Sequence, residues 1–164
     1  MFQIGWAKKT INIEPQGYAM FGYGQWSHRA YGQKTPLYAR AFCIQDHQSN
    51  LSIICCLDMG CVTHAMRESA CQVLDKKLGT VFNESAFMLT ATHTHSAPGG
   101  CSHDALYNMP TPGFVPEHLA AVSQAIVDSV IQAWQNMKPA EIKLGTDTFA
   151  NDIPVAWNRS LAAY

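Results

Sequence analysis

Residues 51–57 read Leu-Ser-Ile-Ile-Cys-Cys-Leu, and this stretch decides the fold class. The run is apolar at both odd and even positions, which is the pattern expected of a central strand with both faces covered. A polar turn over residues 46–50 separates it from a second strand-like run, Leu37 to Gln45. The two runs therefore predict neighbouring strands within a sheet that is covered on both sides.

Helix signals and further strand signals lie on either side of this pair. Thr63 can cap a helix that runs to about Leu78, and Pro116 suits the first turn of a long amphipathic helix that reaches Met137. Further strands are predicted at Gln3–Lys9, Phe87–Thr92 and Glu141–Phe149. Strands that alternate with helices in this way predict an α/β fold, a mixed sheet covered by helices.

The composition fits a single folded domain over residues 1–164, with 48% hydrophobic residues. Eleven Lys and Arg against 12 Asp and Glu, with no basic stripe, exclude nucleic acid as a partner. No stretch approaches the roughly 20 apolar residues of a transmembrane segment. Met1 and Phe2 precede Lys8 and Lys9, the reverse of the order in a secretory signal, so the sequence by itself predicts a cytoplasmic protein.

The six cysteines lie in apolar surroundings and form no Cys-x-x-Cys pair. This pattern predicts reduced, buried thiols and excludes a structural zinc ribbon.

A dense run of His, Gly, Pro and Ser follows the strand predicted to end at Thr92. Residues 91–100 read ATHTHSAPGG, and in an extended chain His93 and His95 would leave the same face. Neutral imidazoles bind zinc readily, and a catalytic zinc keeps one coordination position open for water or substrate. The pair alone leaves two interpretations open, a metal site and hydrogen-bonded core histidines.

Neighbouring residues offer supporting roles, each with a plainer alternative. The segment 98–100 would bind an oxyanion through its N–H groups or simply form a turn. Asp58 would orient a ligand histidine or cap the loop before Thr63. Ser96 lacks the Gly-x-Ser-x-Gly elbow of a serine hydrolase, so we do not assign it as a nucleophile.

The other histidines carry weaker signals. His103 and the adjacent Asp104 are further candidate ligands or surface groups, and His64 is expected in the first turn of a helix. Surface positions are predicted for the remaining three: His28, His47 and His118.

The segment ATHTHSAPGG resembles the ATHTHSGPGG signature of the neutral ceramidases. Further matches occur in family order along nearly the whole chain: MFGYG around Gly22, ARAF (39–42), LDMG (57–60), Ser102, Tyr107, Asn108, residues 113–115, and NRS (158–160). This resemblance implies a zinc-dependent amidase that hydrolyses the N-acyl bond of ceramide-like lipids, and it implies that the chain is the N-terminal part of a larger catalytic domain. Family members are often secreted or membrane-associated, in contrast to the cytoplasmic location predicted above.

The resemblance also implies roles for single residues. His93 matches the first zinc histidine, and His95 matches the neighbouring histidine that contacts the substrate near the scissile amide. Arg159 matches an arginine that holds polar groups there. Gly22 lies in the loop that is similar to the one approaching the substrate head group, and is predicted to bind substrate.

Two departures from the family pattern accompany the match. The segment KTPL (34–37) stands where family members carry a histidine and an arginine, and Ala97 replaces a glycine of the signature. The family's second zinc histidine, its glutamate and its tyrosine are expected beyond the position of Tyr164. We therefore expect residues 1–164 alone to be inactive.

Two alternatives to the amidase stay open at this point. One is a non-catalytic, truncated module that binds a lipid or a protein partner. The other is a metal-dependent hydrolase of another small amide, which completes its site from His103, Asp104 or a second subunit.

Overall fold

A five-stranded sheet with the order β4-β3-β2-β1-β5 organises the computed structural model, which describes residues 1–108, 113–150 and 152–153. The strands are β1 (Phe2–Ile11), β2 (Leu37–Gln45), β3 (Leu51–Leu57), β4 (Phe87–Ala91) and β5 (Lys138–Ala140). The helices are α1 (His64–Leu78), the short α2 (Ala105–Asn108) and α3 (Pro116–Gln135). Helix α1 connects the parallel pair β3 and β4, whereas the other neighbouring strands are antiparallel. The predicted α/β fold with a mixed sheet is confirmed.

Local sequence signals account for the ends of the two long helices. The Thr63 hydroxyl accepts a hydrogen bond from the backbone N–H of Met66 at the start of α1, and Gly79 ends that helix with φ 56°. Pro116 occupies the first turn of α3. This helix ends two residues before the predicted Met137 because Asn136 forms its C-cap.

Helices cover one face of the sheet. Helix α3 lies across β1, β2 and β3, and α1 packs beside α3. The strand residues below α3 include Ala7, Ala39 and Ala41, all buried, whose small side chains let the helix approach closely. The predicted apolar stripe of α3 faces this layer, with Val122 and Ile126 fully buried.

The opposite face of the sheet carries no covering layer within the described residues, in contrast to the two covered faces that the β3 pattern predicts. The strand register aligns Trp6, Phe42, Ile54 and Met88 in one row across four strands. Trp6 is 65% exposed and Met88 is 61% exposed. In β3 the buried positions alternate with more accessible ones, as in a strand that faces a core on one side only.

The strand predicted at Glu141–Phe149 is wrong, because the last strand within the described residues is β5 at Lys138–Ala140. β5 runs antiparallel to β1 and pairs Lys138 with Ile4 and Ala140 with Phe2. The residues that follow therefore pass beyond the start of β1, where no strand segment accepts their hydrogen bonds. Residues 141–149 accordingly form no strand and are exposed.

All six cysteines are free thiols, as predicted; four of them are buried, whereas Cys56 and Cys61 are partly exposed. Burial raises the pKa of the Cys43, Cys55 and Cys101 thiols to about 12. None of the helices in the described ranges has the length and apolarity that crossing a bilayer requires.

Candidate functional site

The candidate site lies at the edge of the sheet where the parallel strands β3 and β4 both end. Leu57 pairs with Ala91 at the last position of this ladder, and the N–H of Thr92 donates to the Leu57 carbonyl at 2.9 Å. Both following loops therefore leave the sheet side by side. Loops at the carboxyl ends of parallel strands are the usual position of ligand sites in α/β proteins.

His93 is held by a backbone oxygen from the loop after β3. Its Nδ1 lies 2.6 Å from the Gly60 carbonyl oxygen, and because a carbonyl only accepts, Nδ1 carries the proton. In the neutral ring this leaves the lone pair on Nε2. A histidine that donates one ring N–H to a carbonyl and presents the other nitrogen is the usual arrangement of a metal-ligating imidazole.

The two predicted histidines do meet, although not by the extended geometry expected of them. The chain has left β4, and His93 adopts φ 59°, in the left-handed region. The ring centroids of His93 and His95 are 5.0 Å apart, and their Nε2 atoms approach to 3.4 Å. With the lone pair on His93 Nε2, the His95 Nε2–H is the donor in this contact. The pair thus presents one acceptor nitrogen and one donor nitrogen at the same point.

The loop around Gly22 forms the wall beside the pair. The Phe21 ring lies 6.2 Å from the His93 ring and 5.6 Å from the His95 ring, centroid to centroid. The Gly22 backbone packs against the His95 imidazole, and a side chain at Gly60 would overlap the Phe21 ring. The two glycines therefore let the aromatic ring and the histidines approach closely.

Backbone hydrogen bonds join this loop to residues 91–100, which contain His93 and His95 and are called the histidine segment below. The Phe21 N–H donates to the Ala97 carbonyl at 2.8 Å, and the Gly99 N–H donates to the Ala19 carbonyl at 3.2 Å. The Gly99 N–H is thus engaged in the turn and does not serve as a free oxyanion donor. Ala97, which replaces the signature glycine, is fully buried.

Asp58 occupies neither of its predicted roles. Its Oδ1 lies 2.6 Å from Arg40 Nη1, and its Oδ2 accepts a hydrogen bond from the Tyr38 N–H at 3.0 Å. The carboxylate raises the pKa of the Arg40 guanidinium through this hydrogen bond. Asp58 therefore fastens the end of β3 to β2, and the Gly60 carbonyl, which no sequence pattern marks, orients His93 instead.

The described part of the chain contains no group of three His, Cys, Asp or Glu side chains that could hold a metal ion. The His103 ring packs on Phe114 at 4.7 Å, and Asp104 bonds with Ser102 in its own loop. The completion of the site by His103 and Asp104 is therefore not supported within one chain. His93 suits one coordination position by its Nε2, which carries the lone pair and accepts only the 3.4 Å contact from His95. The predicted residue Arg159 lies outside the described residues.

The surface position predicted for His118 is wrong, because its side chain is buried and the residue is 3% exposed. Its Nδ1 lies 2.9 Å from the Gly99 carbonyl oxygen, beneath the histidine segment. The spacing offered a signal: His118 precedes Val122 and Ile126 by four and eight residues, which places all three on one face of a helix. His28 and His47 are exposed, as predicted, and His64 begins α1.

Sequence comparison places the whole chain within one family. Residues 2–164 match the neutral/alkaline non-lysosomal ceramidase family, N-terminal region. The neutral ceramidase of Pseudomonas aeruginosa is 31% identical over 164 residues, which cover 99% of this chain and 24% of the relative. That of Mycobacterium tuberculosis is 33% identical over 148 residues, 88% of this chain and 23% of the relative. The chain thus spans about a quarter of the length of these relatives.

Structural comparison agrees with the sequence match. The crystal structure of neutral ceramidase from Pseudomonas aeruginosa superimposes with a TM-score of 0.81 at 32% identity, over 84% of this chain and 22% of that one. A structure described as ceramidase complexed with C2 gives the same values. The shared fold, the match over residues 2–164 and the paired histidines at the strand ends lead to one conclusion: this chain belongs to the neutral/alkaline non-lysosomal ceramidase family.

Proposed function

We propose that the protein is a zinc-dependent amidase that hydrolyses the N-acyl bond of ceramide-like lipids to a fatty acid and a sphingoid base. The observation that carries this proposal is the 3.4 Å approach of the His93 and His95 Nε2 atoms, with the His93 tautomer fixed by Gly60. The relatives named neutral ceramidase provide the substrate class.

His93 is the metal ligand in this proposal, and the remaining ligands come from residues outside the described ranges. Zinc, when bound, supplies a Lewis acid and lowers the pKa of a water molecule so that hydroxide forms near neutral pH. Because His93 Nδ1 donates to Gly60, its Nε2 keeps the lone pair with which it would bind the metal.

His95 acts on the substrate. Its Nε2–H lies beside the ligand nitrogen of His93, where it can donate to the amide carbonyl oxygen as negative charge develops there. In the overall reaction the water oxygen adds to the carbonyl carbon, the carbon–nitrogen bond breaks, and the amine leaves with a proton. Arg159, by its resemblance to the family arginine, would hold polar groups of the substrate.

A groove next to the pair supports a lipid substrate. The groove has a volume of 410 Å³ and reaches Ser96, the neighbour of His95. Its lining combines apolar side chains, among them Ile13, Met20 and Leu37, with the cationic side chains of Arg29 and Lys34. The apolar part of this surface fits a hydrocarbon chain.

The test uses the protein translated from its whole reading frame. Purified protein should release fatty acid from an N-acyl sphingosine, and a chelator should abolish this release until zinc is restored. An N-acyl amino acid serves as the comparison substrate. Faster cleavage of the amino-acid amide would refute the lipid assignment, and chelator-resistant hydrolysis would refute the role of the metal.

A further inference from the structure

The buried His118 contacts the histidine segment at the Gly99 carbonyl. It lies in the first turn of α3, and its Nδ1 is 2.9 Å from the Gly99 carbonyl oxygen. The carbonyl can only accept, so Nδ1–H is the donor. The Tyr18 ring also packs against it, edge-on, with centroids 4.5 Å apart.

Gly99 is thereby held from two sides. Its carbonyl accepts from His118, and its N–H donates to the Ala19 carbonyl at 3.2 Å. Met20 pairs with Pro98 in an antiparallel bridge, and the Phe21 N–H donates to the Ala97 carbonyl at 2.8 Å. The segments 19–21 and 97–99 thus form a short ladder.

One end of this ladder contacts the paired histidines. The residue after Phe21 is Gly22, whose backbone packs on the His95 ring, and Phe21 itself contacts both imidazoles. A shift of the ladder by a fraction of an ångström would therefore move the wall against which His95 rests. The hydrogen bond from His118 to Gly99 anchors the ladder to α3, the longest helix.

We propose that His118 is a positioning residue for the paired histidines and acts through the Gly99 carbonyl. The inference rests on the proposed function, since it assigns His118 to the same reaction. Displacing a reacting group by about 1 Å can cost roughly 100-fold in rate. Because His118 touches no substrate, its loss should lower kcat and leave KM nearly unchanged.

Two substitutions separate the hydrogen bond from the packing of the ring. His118→Asn keeps an N–H donor near the position of Nδ1 but loses the ring, whereas His118→Phe keeps a ring against Tyr18 but loses the donor. Ile126→Val, two turns further along α3 and fully buried, is the control for destabilisation of the same helix. The protein from the whole reading frame is assayed on an N-acyl sphingosine, with thermal unfolding measured in parallel.

We expect His118→Phe to lose roughly 10- to 100-fold in kcat, with His118→Asn and Ile126→Val near the wild-type value. A wild-type kcat in His118→Phe, or equal losses in the Phe and Asn variants, would overturn the inference. If His118→Phe is recovered only unfolded, His118→Asn decides: a wild-type kcat supports the role of the donor, and a reduced kcat refutes it.

A second readout does not depend on turnover. In ¹⁵N-histidine-labelled protein, the ring resonances of His93 and His95 should shift in His118→Phe and keep their positions in His118→Asn. Unchanged resonances in the Phe variant would refute the positioning role. An inactive wild-type protein would refute the proposed function alone, because these resonances would still report on the link through Gly99.

Discussion

The backbone of Gly22 lies so close to the His95 imidazole that an added Cβ would be 2.5 Å from ring atoms Cε1 and Nδ1. Gly22→Ala should therefore displace His95 and lower the rate of ceramide hydrolysis by roughly 10- to 100-fold. Zinc content should stay unchanged, because the substitution does not touch His93. Hydrolysis rate and metal content, measured on the same preparation, check this prediction.

Gly17 provides the matched control for Gly22. Its φ is 84°, close to the 79° of Gly22, but a Cβ at Gly17 would meet nothing within 4 Å. Gly17→Ala therefore introduces the same backbone strain without the contact. Equal loss of activity in the two variants would show that strain in the loop, and not the approach to His95, sets the rate.

His93→Ala should remove zinc from the protein translated from its whole reading frame. The substitution deletes the nitrogen that the Gly60 carbonyl keeps unprotonated for the metal. Metal analysis of the dialysed variant by mass spectrometry is the measurement. Full zinc occupancy would show that His93 is not a ligand.

His95→Ala should retain zinc and lose roughly 100-fold or more in kcat, the size expected when a transition-state donor is removed. The two Nε2 atoms are 3.4 Å apart, close to the separation of about 3.3 Å between two nitrogens on one tetrahedral zinc. Metal content therefore decides between the two roles. A zinc-free His95 variant would make His95 a ligand.

Asp58→Ala should lower stability without affecting the metal. The substitution removes the ion pair with Arg40 and the acceptor for the Tyr38 N–H, and a loss of about 1–2 kcal/mol in the free energy of unfolding is expected for partly exposed groups. Denaturant unfolding and zinc analysis measure the two properties separately. A variant that unfolds normally but loses zinc would restore the predicted orienting role of Asp58.

The buried thiols should resist alkylation in the folded protein. Burial raises the pKa of Cys43, Cys55 and Cys101 to about 12, so at pH 8 only about one thiol in ten thousand is ionised. Cys56 and Cys61, which are partly exposed, should react with iodoacetamide first. Peptide mass spectrometry before and after denaturation gives the order of labelling, and early modification of Cys55 would contradict the described burial.

Local patterns were sufficient for the elements that carry the site. The bounds of β2 and β3 follow from runs of apolar residues between turn residues, and Thr63 marks the start of α1 through its capping hydroxyl. The histidine pair was visible for the same reason, because both residues belong to one short segment. Each of these features is determined by residues that are close together in the sequence, so a local pattern predicts it.

Contacts between segments that are distant along the chain could not be predicted from local sequence patterns. The Gly60 carbonyl reaches His93 across 33 positions, and any residue type can supply a backbone oxygen, so no residue type marks it. The burial of His118 follows from the helical face that it shares with Val122, whereas its polar side chain favours a surface position. The apolar outer positions of β3 predict a covering layer, but a strand pattern shows only that a side chain is apolar and does not identify what lies against it.

The positive φ of His93 has a consequence for the balance between stability and function. An L-residue in the left-handed region is strained by roughly 1 kcal/mol, whereas glycine adopts the same backbone without this strain. Folding alone would therefore favour glycine at this position. The imidazole lowers the stability of the turn that presents it, and a search for stabilising substitutions in this protein would select against the very side chain on which the proposed chemistry depends.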